Sequence, residues 1–126
     1  MSIEKLLHAD VTDGILQSYY HVYNTLGYGF LEKVYENSLR ISLKKSGLAV
    51  EQQFPVSVSF EEEVVGEYFA DLLVNNSVIV ELKAVDAIVP EHEAQLLNYL
   101  KATNYQVGLL LNFGPKPEFR RKVFTQ

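Results

Sequence analysis

Charged side chains interrupt two apolar segments that otherwise have the composition of buried strands. Asp71 lies within residues 69–74, and Glu81 and Lys83 lie within residues 78–83. Side chains alternate along a strand, so Glu81 and Lys83 should share one face. A buried carboxylate or ammonium group is costly unless it is paired or bound to something. A divalent metal ion would compensate the two carboxylates, whose hard oxygen donors suit Mg²⁺ or Mn²⁺.

These three side chains suit the hydrolysis of a phosphodiester. The metal ion would polarise the phosphoryl oxygen and neutralise the developing charge, and Lys83 would hold or deprotonate the attacking water. One alternative is a solvated strand face, because charged residues two positions apart are common there. Another is a structural ion-pair network, in which removing Asp71 would leave a buried partner unpaired and destabilise the fold.

Two predicted helices carry further polar side chains. Glu32 and Tyr35 are three residues apart and therefore lie on one helical side, and Gln95 and Tyr99 are four apart. Each has a structural explanation as well, since Glu in a first turn complements the helix dipole and Tyr often packs in a core with its hydroxyl in water. His92, one turn before Gln95, is more readily a surface residue than a metal ligand.

Composition limits the class of protein. The 126 residues predict one domain, 1–126, with a single modest core. A net charge of -5 argues against a generally basic nucleic-acid surface, and the lack of cysteine excludes disulfides and thiolate metal sites. No apolar run reaches the roughly 18 residues that a membrane span needs, and the first residues lack a signal-peptide core. We therefore expect a cytoplasmic protein that does not associate with membranes.

The hydrophobic pattern predicts an α/β domain with the element order α-α-β-β-β-β-α-β, a mixed sheet flanked by helices. Asp10 can cap the first helix. The second helix is expected at about 31–45, the third from Pro90 to about Ala102, and the last strand at 107–111. The C-terminal segment, about 114–126, is expected to be a basic and weakly structured tail that either is simply solvated or clamps a substrate.

The connection between the two charged strands decides whether their carboxylates meet. A two-residue turn would leave Asp71 facing away from Glu81, because a one-residue slip in register turns every side chain to the other face. A metal site requires a three-residue connection, 75–77, or an equivalent bulge. Asp71 would then lie opposite Glu81. Crowding of these two carboxylates with Glu32 should raise at least one carboxyl pKa.

The sequence resembles the GxxExxY family, small bacterial and archaeal proteins of the PD-(D/E)XK nuclease superfamily. The name-giving motif is present as Gly29, Glu32 and Tyr35, and the similarity extends over about residues 19–113. It includes the segments 80–85, 92–103 and 111–114. Ala70 stands where the superfamily name has its Pro.

This resemblance implies a single-domain, restriction-endonuclease-like (PD-(D/E)XK) fold with a mixed central sheet flanked by helices. It implies that Asp71, Glu81 and the Leu82 carbonyl ligate Mg²⁺ or Mn²⁺. Lys83 would position the attacking water. Glu32 would complete the catalytic set from its helix.

The resemblance also assigns supporting residues and a substrate class. Gln95 and Tyr99 are similar to the QxxxY motif of bacterial helicase–nucleases, and with Tyr35 they would bind or support the substrate. The leading hypothesis is a metal-dependent nuclease that binds DNA or RNA weakly and only with metal. The alternative is a nuclease-like binding or accessory module with negligible turnover. A homo-oligomer or a protein partner remains open.

Overall fold

The computed structural model describes residues 7–125, which form a five-stranded sheet with helices on both sides. The helices of this part of the chain are α1 (Ala9–Leu26), α2 (Glu32–Lys45) and α3 (Pro90–Ala102). The strands are β1 (Val50–Phe60), β2 (Glu63–Val74), β3 (Val78–Lys83), β4 (Val107–Phe113) and β5 (Pro117–Val123). The α/β class is the one expected from the sequence, but the element order differs. Three strands precede α3 instead of the four expected, because residues 63–74 form one continuous strand, and β5 follows β4.

The sheet has the spatial order β1-β2-β3-β4-β5. Only the central pair, β3 and β4, is parallel, and the other neighbours are antiparallel. A parallel pair requires a crossover connection, which α3 supplies. Both central strands are buried almost throughout, which explains their near-continuous apolar sequences.

The helices bury two separate cores, one on each face of the sheet. On one face, α1 and α2 cover Leu72, Val80 and Leu109. On the other face, α3 covers Leu73 and Ile79. This two-sided arrangement matters for function, because a group at the end of the sheet can be approached from either layer.

Helix boundaries agree with their sequence signals except at the start of α1. The N-terminal flanking residue of α1 is His8, and Asp10 lies in the first turn rather than at the cap position. Asp10 therefore complements the helix dipole instead of capping a backbone N–H group. Among residues 7–125, none of the helices has the length and apolar character needed to cross a membrane.

The C-terminal segment is ordered, so the prediction of a weakly structured tail was wrong. Residues 117–123 form β5, which pairs with β4 along its whole length. Phe119 and Val123 pack against the core beneath α1 and α2. Pairing to a buried strand overrides the polar sequence of the segment, which had suggested disorder.

The basic side chains of β5 are also engaged. Lys122 forms an ion pair of 2.7 Å with Glu93 of α3. Arg120 lies 3.5 Å from Glu118 and 4.0 Å from Glu93. These contacts neutralise acidic groups of the protein itself. The segment is therefore neither a solvated tail nor an unencumbered clamp for a polyanion.

Candidate functional site

The connection between β2 and β3 has the predicted length. Val74 pairs with Val78 and Leu72 pairs with Val80, which leaves a three-residue connection. Its first two residues, Asn75 and Asn76, have φ angles of 51° and 49°. Asparagine tolerates this left-handed conformation better than most residues. The register predicted from the requirements of a metal site is thus confirmed.

Asp71 and Glu81 meet where the pairing of β2 with β3 stops. The last paired residues before the site are Leu72 and Val80. Beyond them, the Asp71 N–H donates to Glu81 Oε2 at 2.7 Å, and the Leu82 N–H donates to Asp71 Oδ2 at 2.8 Å. The two side chains therefore satisfy buried backbone donors at the point where the strands separate. These bonds fix the position of one oxygen atom of each carboxylate.

Asp71 lies where the regular alternation of β2 breaks. Ala70 and Leu73 both pack in the core beneath α3, whereas Leu72 packs in the opposite core. The β1 residue beside Asp71 is Gln53, which has a φ angle of 52° and is skipped in the pairing of the two strands. Strand alternation alone therefore does not predict where the Asp71 carboxylate points.

The pKa values of the carboxyl groups show that the site concentrates uncompensated negative charge. Burial, and next the charge of Asp71, raise the pKa of Glu81 to about 8. Burial likewise raises the pKa of Asp71, against the lowering effect of the Leu82 N–H hydrogen bond. Burial and the charge of Asp71 also raise the pKa of Glu32, and Lys83 opposes the rise. The crowding predicted for these three carboxyl groups is thus present.

Lys83 does not neutralise the pair by direct contact. Its side chain is half-buried at the end of β3. Within the part of the chain that the structure describes, no ion pair within 4.0 Å joins Lys83 to Asp71 or Glu81. Lys83 lowers the pKa of both carboxyl groups through longer-range attraction. This geometry disfavours a structural ion-pair network.

The α2 layer contributes Glu32 and a second carboxylate that sequence reasoning missed. Glu32 is exposed at the rim of the site. Glu36, one turn later, is only 4% exposed and accepts hydrogen bonds from Gln52 Nε2 at 2.7 Å and Gln53 Nε2 at 3.0 Å. Its charge raises the pKa of Asp71, while a hydrogen bond from Gln53 lowers it. The four-residue spacing from Glu32 was the one signal that could have indicated Glu36.

Tyr35 is a supporting residue. Its ring is fully buried and stacks on Phe113 with a centroid separation of 4.3 Å. Its hydroxyl donates to the Gly27 carbonyl at 2.7 Å and accepts from the Phe30 N–H at 3.1 Å. Tyr35 therefore fixes the loop that leads into α2 and positions Glu32, while its own side chain is closed to a substrate.

The α3 layer approaches the pair from the other face of the sheet. Gln95 Nε2 donates to the Tyr99 hydroxyl at 3.2 Å. Burial, followed by the charges of Glu81 and Asp71, raises the pKa of Tyr99. Its ring packs in the same core as Ala70, the residue before Asp71. Glu32 and Gln95 belong to α2 and α3, which cover opposite faces of the sheet.

His92 has a structural role at the start of α3. Its side-chain Nδ1 atom accepts a hydrogen bond from the Val89 backbone N–H at 3.2 Å. The backbone N–H of His92 donates to the Val89 carbonyl at 3.0 Å. These two bonds satisfy groups that a helix N-terminus leaves unpaired. The interpretation of His92 as something other than a metal ligand agrees with this geometry.

The donor set at the pair fits a hard divalent cation. Within residues 7–125, no group of three or more His, Cys, Asp or Glu side chains forms a metal-binding cluster. The half-buried Asp71 and the buried Glu81 nevertheless supply two adjacent carboxylates beside the Leu82 backbone. Mg²⁺ commonly binds through one or two carboxylates and keeps several waters, so a closed protein cage is not required.

Comparisons with known proteins agree with this geometry. A solved structure described as "Crystal structure of SSO0001" is similar with a TM-score of 0.59 and 17% sequence identity, over 75% of this chain and 51% of that chain. This similarity shows the fold, and the chain spans about half the length of that protein. No curated protein matches the sequence. The sequence profile of the PD-(D/E)XK nuclease superfamily matches residues 9–122. This range includes every residue of the site, and the chain belongs to the PD-(D/E)XK nuclease superfamily.

Proposed function

We propose that the protein is a metal-dependent nuclease that hydrolyses phosphodiester bonds with Asp71, Glu81 and Lys83. The observation that carries the proposal is the carboxylate pair formed by the half-buried Asp71 and the buried Glu81. Burial raises the pKa of both groups, the charge of Asp71 further raises that of Glu81, and no ion pair within 4.0 Å joins Lys83 to either. Perturbed, clustered carboxyl groups of this kind are typical of functional sites. Membership of a nuclease superfamily supports a role for these carboxylates in metal binding and phosphodiester hydrolysis.

Each residue would have a distinct task. Asp71 and Glu81, together with the Leu82 carbonyl, would hold Mg²⁺ or Mn²⁺. When bound, the ion would polarise the phosphoryl oxygen and offset the charge that develops on it. Lys83 would hold the attacking water and stabilise the developing negative charge with its ammonium group. Glu32 would complete the site from α2 and hold the Lys83 ammonium by electrostatic attraction.

The backbone hydrogen bonds would preorganise the two carboxylates. Because the Leu82 N–H donates to Asp71 Oδ2 and the Asp71 N–H donates to Glu81 Oε2, each carboxylate would be held by a backbone donor before a ligand binds. Glu36 and Gln53 would support this arrangement from the α2 side. Preorganised groups of this kind need little rearrangement when substrate binds, which is favourable for catalysis.

A binding or accessory module without turnover is the second candidate. Two observations favour it: the net charge is -5, and the Lys122 and Arg120 side chains of β5 are paired with acidic residues of the protein. Long-range attraction of a polyanion would therefore be weak. This candidate retains the fold and the carboxylates but predicts no metal-dependent cleavage.

A cleavage assay separates the two candidates. End-labelled single-stranded and duplex DNA and RNA would be incubated at low salt with Mg²⁺, with Mn²⁺ or with EDTA. We expect cleavage only with metal, and a loss of about 100-fold or more in Lys83→Ala, since such electrostatic groups contribute factors of this order. Lys44→Ala provides a matched control, because it removes an exposed lysine at the opposite end of α2 from Glu32. Absence of cleavage on every substrate, or equal rates for Lys83→Ala and the wild type, would contradict the proposal.

A further inference from the structure

A groove of about 830 Å³ lies between α3 and the long hairpin formed by β1 and β2. Its α3 wall includes Gln95 and Tyr99, which are hydrogen-bonded to each other. Its hairpin wall includes Tyr68. Because Tyr99 packs in the same core as Ala70, the residue before Asp71, the groove ends close to the proposed catalytic groups. Its volume is in the range of about 300–1,000 Å³ that binding pockets occupy.

The groove lining combines aromatic rings with uncharged hydrogen-bonding groups. Tyr68 and Tyr99 have ring centroids 6.0 Å apart, at an interplanar angle of 42°. Tyr68 is 49% exposed, so about half of the residue is open to a stacking partner, while Tyr99 is buried. Other lining residues are Ser57, Ser59, Gln95 and Asn98. Aromatic faces with amide and hydroxyl groups recognise unpaired bases, which expose both a ring face and a polar edge.

The backbone is shaped to present the Tyr68 ring. A Cβ atom added to Gly66 would fall 3.0 Å from a carbon of that ring. The ring therefore lies directly against the hairpin backbone at Gly66. The strand pairing shifts by one residue between Val58 and Ser59, opposite Val65, and such a bulge redirects side chains locally. The bulge thus lies close to the aromatic ring that the hairpin contributes to the groove.

Charge at the groove disfavours duplex binding. The groove lining contains one lysine, Lys101, and one acidic residue, Glu91. The hairpin turn carries the exposed residues Glu61, Glu62 and Glu63. Duplex binding derives most of its affinity from many phosphate contacts with basic groups. A short single strand can instead gain affinity by base stacking, with fewer phosphates near the acidic turn.

We propose that this groove binds an unpaired nucleic-acid segment, with Tyr68 as the stacking platform, and directs its backbone toward Asp71 and Glu81. The inference rests on the proposed nuclease function and narrows its substrate to single strands, or to the unpaired ends and flaps of duplexes. Gln95 and Asn98 would contact base edges from α3. Tyr99 would separate the base-binding groove from the carboxylates.

The test is a binding titration with labelled oligonucleotides at low salt in Ca²⁺. The probes are one single strand and its blunt duplex, each as DNA and as RNA. We expect single strands to bind more tightly than duplexes, and Tyr68→Ala to weaken single-strand binding by about 5- to 150-fold, the range for one stacked base. Phe69→Ala is the matched control, because Phe69 is a neighbouring aromatic residue, 55% exposed and outside the groove lining, and it should bind normally.

Several outcomes would overturn the inference: duplex binding as tight as single-strand binding, no binding of either form, no effect of Tyr68→Ala, or an equal loss in Phe69→Ala. Comparison of the DNA and RNA probes shows which kind of nucleic acid the groove binds. Cleavage measured separately, for the wild type and Asp71→Asn, keeps the two proposals apart. Metal-dependent cleavage without an effect of Tyr68 would leave the nuclease and reject the groove. Binding that depends on Tyr68 without cleavage would support the groove and reject the nuclease.

Discussion

Replacing Glu81 by glutamine should stabilise the metal-free protein at alkaline pH. Glu81 is only 5% exposed and lies beside Asp71. Burial raises the pKa of its carboxyl group from 4.5 to about 8. The folded protein therefore holds this proton more tightly than the unfolded chain does. Stability from this group is fully present below about pH 4.5 and is lost as the pH rises toward 8, because the buried group must then carry charge.

The size of the effect follows from the pKa change. Each pKa unit corresponds to about 1.4 kcal/mol, so a rise from 4.5 to about 8 sets an upper limit of about 5 kcal/mol. A glutamine oxygen can still accept the Asp71 N–H, and its amide can donate to the Asp71 carboxylate. The lost attraction to Lys83 offsets part of the gain. We expect Glu81→Gln to raise the free energy of unfolding by about 1–3 kcal/mol at about pH 9, with no gain near pH 4.

Urea unfolding in EDTA, followed from about pH 4 to pH 9, measures this difference. Glu67→Gln is the control, because Glu67 is an exposed carboxyl group on the hairpin of β1 and β2 and its replacement should change little at any pH. A Glu81→Gln protein that is less stable than the wild type at pH 9 would refute the reasoning. That result would mean that the carboxylate is favourably paired in the metal-free fold, as in a structural ion-pair network.

Two further substitutions test the supports of the site. Asn112→Ala removes the two hydrogen bonds, of 3.0 and 2.9 Å, by which this buried side chain holds the Val85 backbone. It should lower the free energy of unfolding, measured in urea, by about 2–4 kcal/mol. An unchanged urea midpoint would show that the loop after β3 does not depend on this residue. Tyr35→Phe keeps the stacked ring but removes the bonds to Gly27 and Phe30, and should cost about 1–2 kcal/mol with no change in KM for an oligonucleotide. A raised KM with unchanged stability would instead assign Tyr35 to substrate binding.

Local patterns predicted much of the fold. The spacing of apolar residues and the terminal signals located α2 and α3 to within a residue or two, and the apolar segments located β3 and β4. The chemistry of the site also predicted a local structure, since a shared metal site required the three-residue connection that the structure contains. These features depend on short stretches of chain, which sequence patterns describe well.

Features that depend on long-range packing were not predictable in this way. Glu36 is a buried part of the site only because Gln52 and Gln53 of β1 reach α2. The face that Asp71 occupies depends on a break in alternation that no period-two pattern encodes. The strand at 117–123 is stabilised by its hydrogen-bonded pairing with β4 and by the ion pair between Lys122 and Glu93. Each of these contacts joins residues that are distant in sequence.

The central claim is that a divalent cation compensates the adjacent Asp71 and Glu81 carboxylates. Isothermal titration with Mn²⁺ at about pH 8 tests it most directly, with the wild type, Asp71→Asn and Glu67→Gln. The account predicts binding to the wild type and to Glu67→Gln, and loss of that binding in Asp71→Asn. Absence of binding to the wild type, or equal binding to Asp71→Asn, would contradict it.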